Sequence, residues 1–229
     1  MHRNVRETET IIKPAQILNK IMKQGDFIKI DYEARVVNTE LLFDTTKPEL
    51  ALKNDISGAE GPETIIVGER YVIKGLDEEL EKHSVGDEFE INIPYEKAFG
   101  QRRTELVKIF PKQLFHKEQM NPIPGLVVNF LGLQGKILSA SGGRVRVDFN
   151  HPMAGKAVKY KVKILEKVEK DEEKIEAIIK SRLRTKPDIK TTKDEIIVTT
   201  EKELQKPTQD MLLNEIKKYV IHKIKFEHK

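Results

Sequence analysis

From Val158 to Ile164 the chain alternates without a break. Val158, Tyr160, Val162 and Ile164 fall on one parity, and Lys159, Lys161 and Lys163 on the other. A period of two marks an extended strand, and an apolar row opposite a lysine row places one face on a core and the other in water. Such a strand belongs in an antiparallel sheet with one covered face. Phe89, Ile91 and Ile93 obey the same rule against Glu88, Glu90 and Asn92, and Pro94 closes that strand. Phe27, Ile28, Ile30, Tyr32, Ala34 and Val36 give a longer, rougher alternation, and Leu41–Asp44 and Thr64–Val67 read as two further strands. Leu76 and Leu80, four apart after Gly75, predict a short helix over 76–82.

The rest of the chain changes period several times. Residues 1–24 read as an extension in which Pro14 opens a short helix with Ile17, Leu18, Ile21 and Met22 on one face. Residues 47–63, with Pro48, Gly58, Gly61 and Pro62, predict a long irregular loop. Residues 101–150 read as a small all-β unit, with strands at Leu126–Leu131, Lys136–Ala140 and Arg144–Phe149 and a hairpin turn at Gly142-Gly143. Beyond Glu169, Ile175, Ile178, Ile179 and Leu183 share a helical face. Two β-rich runs follow, 188–192 and 195–200, joined at Lys193-Asp194. A helix then starts at Pro207 with Leu212, Leu213 and Ile216, and a strand carries Val220, His222, Ile224 and Phe226. That order gives an α/β module of the form αββαβ over 170–229.

Composition limits the chemistry. There is no cysteine, which removes disulfides, thiolate catalysis and Cys-ligated zinc and suits a reducing cytoplasm. Hydrophobic residues are 38% and charged residues 34%, enough apolar material for a core and too much for a disordered tail. The formal charge of +4 is spread among interleaved lysines and acids, so no basic arm for nucleic acid stands out. No stretch has the length of a membrane span or the form of a signal peptide, so no membrane partner is expected. There is no Gly-rich phosphate loop, no zincin pair of histidines and no Gly-x-Ser-x-Gly elbow. His2, His83, His116, His151, His222 and His228 are scattered and read as surface or capping residues. An enzyme built from this sequence must work without metal or cofactor and without an activated nucleophile.

Four separated segments then carry a resemblance. They are Ile28–Tyr32 with Leu42–Thr46, Val67–Leu76, Val85-Gly86-Asp87 with Ile93–Gly100, and Asn150–Lys156 leading into the Tyr160 strand. In this order and spacing the chain resembles the FKBP family of peptidyl-prolyl cis-trans isomerases. The break between Gly100 and Asn150 is similar to the SlyD-like branch, where an insert-in-flap chaperone module sits, and the C-terminal module resembles the long archaeal members. The resemblance implies an α+β fold, a bent antiparallel sheet around a short helix. It also implies a catalytic domain over 25–100 and 151–168, an inserted domain over 101–150 and a C-terminal domain over 170–229. By position, Tyr32, Phe43, Val72, Ile73, Leu76, Phe99, Met153 and Tyr160 would line an apolar proline pocket with Asp44 at its rim, and Ile73 would offer a backbone N–H to the substrate. Family members often carry Trp where Leu76 stands and Tyr where Phe99 stands. Implied partners are unfolded or nascent polypeptides with X-Pro bonds, and a second copy of the chain bound through the C-terminal domain.

The insert is rich in apolar side chains for its size. Ile109, Phe110, Leu114, Phe115, Val127, Val128, Phe130 and Leu131 are more than about fifty residues readily bury. Some of them, drawn from Ile109, Phe110, Leu114, Phe115, Val127 and Phe130, are expected to stay exposed as a sticky surface for unfolded chains. Two rival readings are a chaperone without isomerase activity, motivated by Leu76 and Phe99, and an RNA- or ribosome-binding factor, motivated by Arg144-Val145-Arg146 and a pI of about 9.0. The absence of Trp for base stacking weighs against the latter.

Overall fold

The computed structural model describes residues 21–130, 132–192 and 195–228. The alternating segment forms β9 (Val158–Lys167), with Val158, Tyr160, Val162 and Ile164 all buried. It pairs antiparallel with β1 (Phe27–Val36) on one side and β4 (Glu88–Ile93) on the other. The far edge of β1 is shared end to end by β2 (Leu42–Thr45), opposite residues 33–35, and β3 (Glu63–Ile66), opposite residues 27–30. Register shifts at Lys29/Ile30 against β9 and at Ala34/Arg35 against β2 interrupt the ladders. Such irregularities bend a strand and increase its twist.

The segment expected as loop over 47–63 instead opens with a helix, α1 (Pro48–Lys53). Proline in the first turn needs no N–H partner, Glu49 complements the N-terminal dipole, and Ala51 is buried. The short helix α2 (Lys74–Leu80) lays Leu76 and Leu80, both fully buried, on a core that includes Ile28, Ile30, Ile65, Ile93 and the inner face of β9. Gly75 permits this close approach, since a Cβ there would lie 2.4 Å from Ile93 Cγ2. Met22 joins the same core and Ile21 forms an extended bridge to Ser84, so neither is helical. The remainder of the helix expected from Pro14 lies outside the described residues.

Residues 101–150 contain β5 (Val107–Pro111), α3 (Lys112–Lys117), β6 (Val127–Phe130), β7 (Leu133–Ser141) and β8 (Arg144–Asp148), in an antiparallel sheet of order β5-β8-β7-β6. The expected all-β unit is therefore corrected. The six-residue α3 starts after Pro111 and buries Phe115 on the sheet. Gly142 and Gly143 both have positive φ, 56° and 75°, as a tight two-residue hairpin requires.

The C-terminal residues form α4 (Asp171–Leu183), β10 (Asp188–Thr191), β11 (Glu195–Thr200), α5 (Lys206–Ile216) and β12 (Lys223–His228). β10 pairs antiparallel and β12 parallel with β11, and α5 supplies the crossover that a parallel pair needs. The expected turn at Lys193-Asp194 lies outside the described residues. Asp171, Glu172 and Glu173 open α4, and Lys180 and Arg182 close it, a charge order that suits the helix dipole. Its buried residues Ile175, Ile178 and Ile179 join Phe27 and Ile66 in one core. β1 and β3 thus bury both faces at this end: Ile28 and Ile65 toward α2, Phe27 and Ile66 toward the C-terminal elements. Among the described residues no helix is long and apolar enough to cross a membrane.

Candidate active site

β1, β2, the turn before α2, the turn after β4 and β9 meet in an aromatic group at one end of the sheet. Tyr160 of β9 is buried, and the Tyr32 ring of β1 lies 5.7 Å from it. Phe43 of β2 stands edge-on to both Phe99 (5.7 Å) and Tyr160 (6.3 Å). Edge-to-face packing of this kind is the favoured aromatic geometry. Leu76 lies fully buried in the adjoining core, and Val72 and Ile73 pack against that core while remaining half-exposed. Residues from five separated stretches of chain thus pack in one apolar region.

Its rim is polar. The Tyr32 hydroxyl donates to Asp44 Oδ2 at 3.1 Å, and the Tyr32 N–H donates to Thr46 Oγ1 at 2.8 Å. Burial, then the Asp44 charge, pushes the Tyr32 hydroxyl well above its ordinary value of 10; burial does the same to Tyr160. Both phenols stay protonated at neutral pH, so neither is a base. Burial also raises the Asp44 carboxyl above its ordinary 3.8, opposed by the bonds from Tyr32 and the Thr45 N–H. The Ile73 carbonyl accepts from the N–H groups of Leu76 and Asp77, both at 3.0 Å, while the Ile73 N–H has no protein acceptor among the described residues. Beside this rim lies a cleft of about 410 Å³, lined by Tyr32, Asp44, Thr46, Gly58, Glu63 and Arg184.

A family model described as FKBP-type peptidyl-prolyl cis-trans isomerase matches residues 19–124, and one described as FKBP26, IF domain, matches residues 108–153. The chain is 33% identical over 147 residues to a short-type peptidyl-prolyl cis-trans isomerase of Methanocaldococcus jannaschii, covering 63% of this chain and 92% of that protein. The chain belongs to the FKBP-type peptidyl-prolyl cis-trans isomerase family. It is also 32% identical over 112 residues to the FKBP-type isomerase SlyD of Aeromonas hydrophila, covering 48% of this chain and 53% of SlyD. A probable FKBP-type 16 kDa isomerase of Pseudomonas fluorescens is likewise 32% identical over 112 residues, with 47% and 73% covered.

Within this FKBP chain the structure brings Tyr32, Phe43, Asp44, Val72, Ile73, Leu76, Phe99 and Tyr160 together. Met153 is half-buried next to this group, its N–H donating to His151, whose ring stacks on Phe99. It follows Pro152 in a turn closed by the Ala154 N–H to His151 carbonyl bond, and it lines a cleft with Leu41, Val127, Leu138 and His151. Ile91, Ala98 and His151 were not singled out by the sequence. Ile91 and Ala98 pack on the core beside Phe99. The His151 ring stacks on Phe99 at 4.5 Å with its Nδ1 facing the Met153 N–H at 3.2 Å. The Asn150–Lys156 motif flagged that segment, but only the fold shows which ring His151 covers.

The insert residues divide by parity. Ile109 and Val127 are 60% and 54% exposed, and Leu114 is exposed too. Phe110 is half-buried, and Phe115 and Phe130 are buried, stacked on each other at 4.2 Å. Phe115 and Phe130 are therefore core, not surface. Strand side chains alternate, so Val127 and Phe130, three apart, must face opposite ways, as must Ile109 and Phe110. Ile123, Leu126 and Leu133 supply exposed apolar surface that the sequence reading overlooked.

Proposed function

We propose that this isomerase turns X-Pro bonds in unfolded or partly folded polypeptides, with the proline ring seated among Tyr32, Phe43, Val72, Ile73, Leu76, Phe99 and Tyr160. The observation that carries the reading is the meeting of four aromatic rings from separated segments on the core against which Val72 and Ile73 also pack. Rotation about a peptide bond faces a barrier of about 18–20 kcal/mol because it breaks amide resonance. As the bond twists, the nitrogen becomes pyramidal and the C–N dipole shrinks. A water-poor apolar recess therefore binds the twisted amide better than the planar one, and that difference in binding is the catalysis. The aromatic walls hold the ring by contact, and the Ile73 N–H anchors a substrate carbonyl. No proton need move, in keeping with two phenols held protonated.

The exposed apolar residues of the insert, Ile109, Leu114 and Val127 with Ile123, Leu126 and Leu133, would hold apolar segments of a client near the recess. In the C-terminal sheet β10 and β12 are edge strands, and an open edge is a template for a second copy. Light scattering across a concentration series tests that pairing. The deciding experiment is refolding of a protein limited by prolyl isomerisation. Catalytic amounts of the enzyme should accelerate it. If only stoichiometric amounts act, and only by suppressing aggregation, the chain is a holding chaperone and the recess reading fails.

Asp44 gives a pH-dependent prediction. Its folded value is raised, so the stability it contributes is full below 3.8 and is lost as pH rises through the raised value. At neutral pH, Asp44→Asn should raise Tm, and the gain should vanish as pH falls below 3.8. Thermal melts from pH 3 to 8 check the sign. The same variant should lower kcat/KM, since a destabilising polar group at a working site is commonly kept for function.

A further inference from the structure

The segment Tyr71-Val72-Ile73 carries two residues of the proposed recess, yet it is poorly tied by its own backbone. Among the described residues neither Tyr71 nor Val72 makes a backbone hydrogen bond. The turn before it is fixed by Asp77, whose carboxylate accepts from the N–H groups of Gly68 (2.8 Å) and Arg70 (3.0 Å). The residue after it is fixed by the first turn of α2 through the Ile73 carbonyl. Between these anchors the only directional ties run through the Tyr71 side chain among the described residues, and they lead into the C-terminal module.

The Tyr71 hydroxyl donates to Glu215 Oε1 of α5 at 3.1 Å. Arg182 of α4 donates to both oxygens of the same carboxylate, at 2.8 and 2.7 Å. Its guanidinium also lies 5.7 Å from the centre of the Tyr71 ring. The Glu215 side chain is only 15% exposed. Isolated surface ion pairs contribute little, as the exposed Lys180–Glu60 pair between α4 and the 57–61 loop would. A two-pronged arginine on a partly buried carboxylate that also accepts a phenol is geometrically specific and stronger. Arg182 is the foremost influence holding the Glu215 carboxyl below its ordinary range, so it stays ionised as an acceptor. Tyr71 also packs against both the catalytic core and the C-terminal core. The module behind the clasp is therefore joined to the catalytic sheet through buried side chains.

We propose that Tyr71, Glu215 and Arg182 are positioning residues for prolyl isomerisation, through which the C-terminal module sets the Val72 side chain and the Ile73 N–H against the substrate. This rests on the isomerase reading of the recess above. The three residues do not touch the prolyl bond. They act by setting one flank of the recess, where the Val72 side chain and the Ile73 N–H grip the substrate throughout the turn while the aromatic walls supply the preference for the twisted amide, so their loss is chiefly a loss of uniform binding.

The test uses the full chain and a short X-Pro peptide. Tyr71→Phe removes one hydroxyl and little else. It should raise KM roughly three- to tenfold, the worth of one or two hydrogen bonds, with kcat within about twofold of the parent. Glu215→Ala should match it. Glu215→Gln keeps an oxygen acceptor and should restore most of the affinity. Because the residues act as a unit, the Tyr71→Phe/Glu215→Ala double variant should lose little more than either single one. Amide exchange at Leu76 and Asp77, whose N–H groups the Ile73 carbonyl accepts, should quicken in Tyr71→Phe while exchange in β9 does not. If KM and Leu76–Asp77 exchange both stay at parental values while Tm drops, the clasp is merely structural and the proposal is overturned. Should Glu215→Ala fail to fold, Arg182→Gln gives the same comparison. An inactive parent chain would instead overturn the isomerase reading itself, an outcome distinct from an active parent with unchanged variants.

Discussion

Phe43→Ala should lower kcat/KM for a short X-Pro peptide by roughly ten- to a hundredfold, with much the smaller part of the damage in stability. Removing the ring takes one wall from the proposed proline site. Full burial of an apolar side chain is worth about 1.5–3 kcal/mol, and each 1.4 kcal/mol of transition-state binding is a factor of ten in rate. Phe43 is half-buried on β2, and its own contacts are edge-on to Phe99 and Tyr160. Such pairs add about 0.5–1.5 kcal/mol each, so Tm should fall only modestly. Phe43→Leu keeps an apolar wall and should recover much of the rate. Phe43 has no titrating group, so the deficit should be the same from pH 5 to 8, unlike any effect of Asp44→Asn. Peptide assays with a melt of each variant decide the point. Activity within twofold of the parent in Phe43→Ala would mean that the prolyl bond turns somewhere other than this recess.

How far the sequence could be read depended on how many faces each element buries. β9 and β4 have one covered face at most, so their alternation is clean: β4 runs over Glu88–Ile93 as expected, and β9 starts at Val158 and carries three residues past Ile164. β1 buries Phe27 against the C-terminal module and Ile28 against α2, and consecutive buried residues blur the period of two. α1 and α3 are six residues each, too short for a periodic signature, and both begin beside a proline that reads equally well as loop punctuation. The aromatic recess was legible only through resemblance, because no spacing rule brings residues 32, 43, 99 and 160 together; sheet pairing does. Resemblance also named Met153, which a turn at the end of the insert places next to His151 and so one residue from the Phe99 ring. The Tyr71 clasp had no sequence cue at all. Its carboxylate comes from 144 residues away, and Glu215 reads on its own as one more solvated helical acid.

The insert should be the easiest part of this molecule to unfold by a single substitution, and Phe115→Ala should do it. Its buried core comprises Phe115, Val128, Phe130, Ile137, Val145 and Val147. Phe115 is fully buried, stacked on Phe130 with the rings 7° apart, and met edge-on by Phe110. Truncating a buried phenylalanine costs about 3–5 kcal/mol. A core this small rarely supplies more than about that much stability, so the loss consumes the whole margin. The neck of the insert has polar ties of its own. Arg102 pairs with Asp148 at 2.6 Å, and Asn150 bonds both the N–H and the carbonyl of Arg103, at 2.8 and 2.9 Å. The catalytic sheet below the neck should therefore stay folded, and turnover of a short X-Pro peptide should remain within about twofold. Turnover on a long unfolded chain is a different matter if the insert holds the client, because tethering beside the recess can raise effective concentration by a factor of 10² or more. It should drop ten- to a hundredfold, to the level set by the recess alone. Val127→Ser, on the exposed parity of β6, should give a smaller loss of the same kind with the insert still folded. Equal losses on peptide and chain in Phe115→Ala would make insert and recess one cooperative unit. Undiminished turnover of the long chain would place client capture outside the insert.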